Sequence, residues 1–417
     1  LKVGAARVCI TPPIGVDLGG YVARQQPSVG VLDDLYCRGL YLETEQERLL
    51  WLNCDVLGFH WEWVQNIVDA IATKVNFETR QILISSTHTH SGPVTQFLRR
   101  CGEMDNAYMD NLSSKVIETA QLAVGEKEEV RLSFAEGKCA LGRNRRPSGE
   151  RLHIDDRLPV LGFLRKDETP VAVLVNYPLH NVALSFQNRM ISADIFGRAA
   201  SGVRAVLPGE PLVMITAGAS ANIVPARVSD NPSEMYAQGD SLAAAIQRAF
   251  ADSKPLEDEK LKVRKEPVVL RLAVPSFEEL GEGFLIPGRL NEDDRLWQQA
   301  IDEWRKESKE HLKDNPKLSC VSELQIIKIG DVTYVGVGGE VFSHLADELR
   351  FVNGPWTYVV SFSNGNFGYL SDQKGYGEGG YEVTTAYKFY GNFNFLLGEY
   401  EKLRTQTSEL LLTMKDR

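Results

Sequence analysis

The chain has 417 residues, 43% hydrophobic and 24% charged, and its 46 Lys and Arg against 56 Asp and Glu give a net charge of -10. That balance describes a globular protein with a large core and excludes collagen-like, coiled-coil and disordered chains. The acidic balance, without a long Lys/Arg run, lacks the electrostatic footprint of a duplex nucleic-acid binder. No window approaches 18 consecutive apolar residues, and LKVGAARVCITPP at the start lacks the charged and apolar regions of a signal peptide, so a soluble chain with no transmembrane segment is expected. Compartment (cytoplasmic, or exported after loss of a leader) and oligomeric state stay open. The six cysteines are far apart and without a Cys-x-x-Cys pair, which favours free thiols over disulfides or a thiolate zinc finger.

In chain order, a hairpin unit appears three times, each time delivering a residue that can carry chemistry. Arg38 to Glu43, TEQE and Arg48 to Cys54 lead to Asp55; Leu158 to Leu164, RKDET and Pro170 to Pro178 lead to His180; Ser322 to Ile329, Gly330-Asp331 and Val332 to Val337 lead to Glu340. Residues just past strand ends are where a rigid sheet positions site groups. Helical spacing marks Glu62 to Lys74, Met109 to Val124, Ala193 to Val206 and Met235 to Phe250. The segment 252–318 is charged and reads as a peripheral insertion containing an exposed helix from Asn291 to Lys313. A Gly- and aromatic-rich loop, Asn364 to Asn394, precedes a last amphipathic helix from about Phe395 to Met414. The expected fold class is α/β, with mixed β-sheets sandwiched by helices in one large domain over 1–417.

The strongest local signal is the strand Gln81 to Ser85 running into STHTHSGP. In an extended segment alternate side chains share a face, which puts His88 and His90 about 6–7 Å apart. That spacing suits one metal, or one metal plus an acid/base group; two surface histidines at a strand end are the alternative. His180 follows the apolar strand ending in NYPL, and Glu340 follows VGVGG, with Asp194 and Asp55 as the other carboxylate candidates. Two histidines and a carboxylate make a common hydrolytic zinc set.

Along nearly its whole length the chain resembles the catalytic domain of the neutral/alkaline (non-lysosomal) ceramidases, zinc amidases that split an N-acyl sphingoid base. The resemblance lies in the order and spacing of ITPPIGVDLGGY, GVLDDLYCRGLYL, THTHSGP, NRRP at 144–147, LHNVAL, ISAD, GGE at 338–340 and GYLSDQKGYGEGGYE. It implies one Zn2+ per chain, held by His88, His180, Glu340 and Tyr369. It also implies His90 as acid/base, Arg145 steadying the substrate carbonyl and Tyr381 as a donor near the oxyanion. The implied partner is a small-molecule or lipid-like amide, with an ester as a variant. Without the resemblance, Tyr369 and Tyr381 read as packing residues and Arg145 as a surface cation in GRNRR.

Two departures bear on the substrate. Where the family carries a Gly-Asp-x-Ser-Pro-Asn type loop, this chain has Gly218-Ala219-Ser220-Ala221-Asn222-Ile223-Val224-Pro225, so Asn222 replaces the acid and Val224 the serine, unless Ser220 serves from a shifted position. The family's C-terminal immunoglobulin-like domain falls outside the resemblance. The leading expectation is a zinc-dependent amide hydrolase; a catalytically silent ligand-binding homologue is the alternative, and a (β/α)8 amidohydrolase is disfavoured because hairpins dominate.

Overall fold

The structure, a computed structural model, describes residues 1–146, 154–281, 292–314 and 316–414. Pro147, His153 and the middle of the segment 252–318 lie outside the described residues. Three sheets share one connectivity. In the first, β1 (Lys2–Cys9), β2 (Tyr36–Glu43) and β3 (Arg48–Cys54) pair antiparallel in turn, and β3 pairs in parallel with β4 (Ile82–Ser86). The second repeats this with β5 (Arg131–Lys138), β6 (Arg157–Leu164), β7 (Pro170–Tyr177) and β8 (Leu212–Ala217). The third does so with β9 (Leu261–Arg271), β10 (Ser319–Ile329), β11 (Val332–Val337) and β12 (Thr357–Val360). The three hairpin units expected from sequence are the β2–β3, β6–β7 and β10–β11 pairs.

The long helices are α1 (Trp61–Val75), α2 (Asn106–Gly125), α3 (Asp194–Val206), α4 (Pro232–Ala251), α5 (Glu292–His311), α6 (His344–Asn353) and α7 (Glu399–Thr413). Each parallel step crosses through a helix, namely α1, α3 and α6, as parallel pairing requires. The apolar stripe of α1, Val64, Ile67, Val68 and Ile71, follows the 3.6-residue period and turns to the core. One face of every sheet meets the others in a shared core that includes Trp51, Leu161, Leu174, Tyr334 and Tyr358. The opposite faces carry α1 and α2, α3 and α4, and α6 and α7. All eight residues of β7 are buried, which is why its sequence is a continuous apolar run. The α/β class with mixed sheets is therefore the observed one, and all six cysteines are free.

The segment 252–318 departs from its expected place. It supplies β9, paired with β10 along all eleven residues, and α5, whose Ala300, Ile301 and Trp304 are each 1% exposed. Residues 297, 300, 301 and 304 form a helical stripe, and the charges that read as exposure sit on the other face. No helix among the described residues is long and apolar enough to cross a membrane.

Candidate metal centre and its cavity

The repeated connectivity brings chemistry together at one end of the sheets. After β3, β7 and β11 the chain makes the same turn: the N–H groups of Val56, Leu179 and Gly339 donate to the carbonyls two residues back, at 2.9, 2.9 and 3.0 Å. The next residues, Leu57, His180 and Glu340, are thus equivalent. After β4 and β12 the N–H groups of His88 and Phe362 donate to Val56 and Gly339, and both residues take positive φ, 59° and 55°. His88 is therefore past the strand rather than in it, contrary to the extended reading of the H-x-H segment. A left-handed non-glycine residue costs about 1–3 kcal/mol and persists where its surroundings fix it; here His88 stacks on Phe362, centroids 3.9 Å apart. The kink tightens the pair, with His88 and His90 Nε2 at 3.2 Å.

His88 Nδ1 lies 2.7 Å from the Leu57 carbonyl and His180 Nδ1 2.8 Å from the Ser220 carbonyl. Carbonyls only accept, so each Nδ1 carries the proton and each Nε2 presents a lone pair. Glu340 Oε2 stands 3.2 Å from His180 Nε2 and 3.7 Å from His88 Nε2, and Tyr369 Oη is 3.3 Å from His180 Nε2. Glu340 Oε2 has no hydrogen-bond donor among the described residues. Lone pairs converging in a buried site repel unless a cation lies among them, so these residues fit a divalent metal. The ligand atoms of His88, His90 and His180 lie within 4.8 Å of one another, so distance alone does not set His90 apart. The second nitrogen does: Nδ1 of His90 is buried without a partner among the described residues, whereas metal-ligating histidines almost always donate theirs.

Electrostatics keep Glu340 charged and His88 and His90 neutral. Burial would raise the Glu340 carboxyl, but the His88 and His180 rings outweigh it and hold it down to about 2. Burial lowers His88 to about 3, and burial with the His88 and His180 rings pushes His90 well below its ordinary value. Burial, reinforced by Glu340, raises Tyr369, while the Arg145 guanidinium works in the opposite direction.

The other expected residues divide. Tyr381 lines the cavity beside Tyr369, edge to face at 5.7 Å. Arg145 is no surface cation: it donates through Nη2 to Tyr369 Oη at 3.0 Å and to the Ala221 carbonyl at 2.7 Å, and through Nε to Glu382 at 2.9 Å. Its guanidinium lies 5.6 Å from the Tyr369 ring and 5.8 Å from the Tyr381 ring, both of which line the cavity. Asp55 pairs with buried Arg38 at 2.7 Å, and Asp194 accepts from the Ala183 and Leu184 N–H groups, so both carboxylates are structural. Asn222 locks its loop to Ser343, accepting from its N–H at 2.8 Å, and Val224 pairs with Arg143 in a short ladder. Ser220 contributes its carbonyl to His180 while its hydroxyl is buried off the cavity.

The cavity, about 260 Å³, has a polar floor of His88, His90, Glu340, Tyr369 and Tyr381 and an apolar side of Val22, Leu98, Phe186, Trp297 and Phe389. Sequence reasoning missed Trp297, although the α5 stripe pointed to it, and missed Gly20, Arg24 and Tyr390. Gly20, at φ 96°, lets the backbone approach His90; a Cβ there would sit 2.4 Å from Nδ1. Arg24 is buried and donates to the carbonyls of Gly19, His90, Ser185 and Phe186, stitching the first loop to the His90 segment. Tyr390 donates to Glu340 Oε1 in a short hydrogen bond.

The three-sheet α/β fold thus gathers histidines, a carboxylate and a tyrosine at its strand ends. Residues 1–206 match the family model for neutral/alkaline non-lysosomal ceramidase, N-terminal. Among solved structures, neutral ceramidase from Pseudomonas aeruginosa superposes with a TM-score of 0.78 at 16% identity, over 100% of this chain and 75% of that one. A ceramidase complexed with C2 gives 0.76 at 15% identity, over 99% and 74%. Residues 1–206 thus carry the neutral/alkaline ceramidase family pattern, and the chain as a whole has the fold of the two ceramidase structures.

Proposed function

We propose that the protein is a zinc-dependent hydrolase that cleaves an amide bond with water as nucleophile. The observation that carries this reading is the convergence of Nε2 of His88 and His180, Oε2 of Glu340 and Oη of Tyr369, with His90 beside them and free at Nδ1. Those four residues would hold the ion, which supplies Lewis acidity and makes water a nucleophile near neutral pH. His90 takes the proton from the attacking water and passes it to the leaving nitrogen as the C–N bond breaks, releasing acid and amine. Tyr381 donates to the carbonyl oxygen as negative charge develops there, a contribution of about 3 kcal/mol for one well-placed donor. Arg145 acts through Tyr369, whose hydroxyl it holds in place.

Two observations support water over a side-chain nucleophile. Among the described lining residues none is a serine or threonine. Cys101, which does line the cavity, has its thiol pushed up to about 12 by burial. The apolar side accommodates an acyl chain or other apolar group next to the scissile bond. The test is a panel of N-acyl amides, including a fluorogenic N-acyl sphingosine, with zinc-loaded protein and the His90→Ala variant. Release of free amine by wild type, abolished in the variant, is the expected result. Ligand binding without product would instead establish a silent binding homologue, the reading favoured by a family serine replaced by Val224.

A further inference from the structure

The two oxygens of Glu340 have different neighbours. Oε2 faces the histidine nitrogens, while Oε1 accepts the Tyr390 hydroxyl. A glutamate carboxylate turns broadly about its last torsion, so without a restraint either oxygen, or both, would face the centre. Tyr390 supplies that restraint and is itself held. Asn366 Nδ2 donates to the Tyr390 hydroxyl at 3.2 Å, and Asn366 Oδ1 accepts from the Gly368 N–H at 2.9 Å. The Gly368 carbonyl in turn accepts from the backbone N–H of Glu340 at 2.9 Å. The hydrogen bonds therefore run from the Glu340 carboxylate through Tyr390, Asn366 and Gly368 back to Glu340.

The ring is confined as well as the hydroxyl. Gly368, at φ 91°, lies against the face of Tyr390, where a Cβ would come within 3.1 Å of the ring. On its two sides Tyr390 lines the metal-centre cavity and a second cavity of about 360 Å³. It is thus a partition whose hydroxyl has one carboxylate to serve.

We propose that Tyr390 is a positioning residue that fixes the Glu340 carboxylate so that Oε2 alone is presented to the metal. The inference rests on the reading of Glu340 as a ligand. Hydrogen-bond partners of metal ligands typically account for about 10–100-fold in metal affinity. Tyr390→Phe keeps the ring and removes the hydroxyl, so zinc binding measured by competition with a chromophoric chelator should weaken by about that factor. Stoichiometry should stay at one, and the melting temperature of the metal-free protein should be unchanged, which separates positioning from a packing role. Asn366→Leu, which frees the Tyr390 hydroxyl without removing it, should weaken binding by a smaller factor. Affinity equal to wild type in both variants would overturn the inference and leave the ligand reading standing. Absence of zinc from wild type would overturn the ligand reading, and this inference with it.

Discussion

At and just beneath the floor of the cavity, His180 and Glu340 occupy equivalent positions after the second strands of two hairpins, and Leu57 occupies the third, offering its carbonyl to His88. On the wall, Trp297 comes from α5 and Phe389 from a short helix in the 364–394 segment, and the two meet edge to face at 4.7 Å. The floor is assembled by backbone hydrogen bonds repeated from sheet to sheet; the wall is assembled by packing between elements that have no counterpart in the other two sheets. The floor therefore sets which chemistry is available, and the wall sets what fits beside it.

Removing either histidine proposed as a ligand should have the largest effect. His88→Ala and His180→Ala are expected to lose both bound zinc and hydrolysis, read by mass spectrometry and product release. Next comes Gly20→Ala, which drives a methyl group into His90 while leaving the other floor residues in place. Hydrolysis should fall about 100-fold or more, the usual share of a general acid/base, with zinc content intact. Loss of zinc in that variant would show that His90 is a ligand and blur the division between the two histidines.

Trp297→Ala tests the wall by itself. It should raise KM for an amide with an apolar acyl group about tenfold while leaving zinc content unchanged. The smallest effect concerns pH. Lys388, 1% exposed beneath α5, is lowered to about 8 by burial, against the opposing pull of Glu279. Between about pH 8 and the ordinary lysine value of 10.5 the unfolded chain binds the extra proton, so that stability rises with pH across this window and is lost as pH falls toward 8. Denaturant unfolding at pH 8 and 10 should show the slope, and Lys388→Met should remove it.

The same division marks what was legible in the sequence. Each hairpin is written as two apolar runs around a polar turn, so the residues following β7 and β11 could be identified without a structure. Asp55 was the exception, because the equivalent position after β3 is Leu57, two residues on, and Asp55 is spent on Arg38. His88 and His90 were found by their spacing, although a left-handed turn rather than an extended strand joins them. Tyr369 came from the family resemblance alone, since a single phenol leaves no periodic signal. Arg145 also came from the resemblance, because sequence spacing does not show its hydrogen bonds to Tyr369 and Glu382. The wall was missed for a physical reason: in α5 charged residues outnumber the apolar stripe, and only the packing of Trp304 and Ile301 shows which face decides its position. Tyr390 lies in the aromatic loop without a motif, and its hydrogen bond to Glu340 exists only in three dimensions.

The most direct measurement is anomalous scattering at the zinc edge from crystals grown without chelator. One peak is expected, about 2.0–2.2 Å from Nε2 of His88 and His180, Oε2 of Glu340 and Oη of Tyr369, with His90 beyond bonding distance. A peak ligated by His90 in place of Glu340, or no peak after zinc is added, would contradict it.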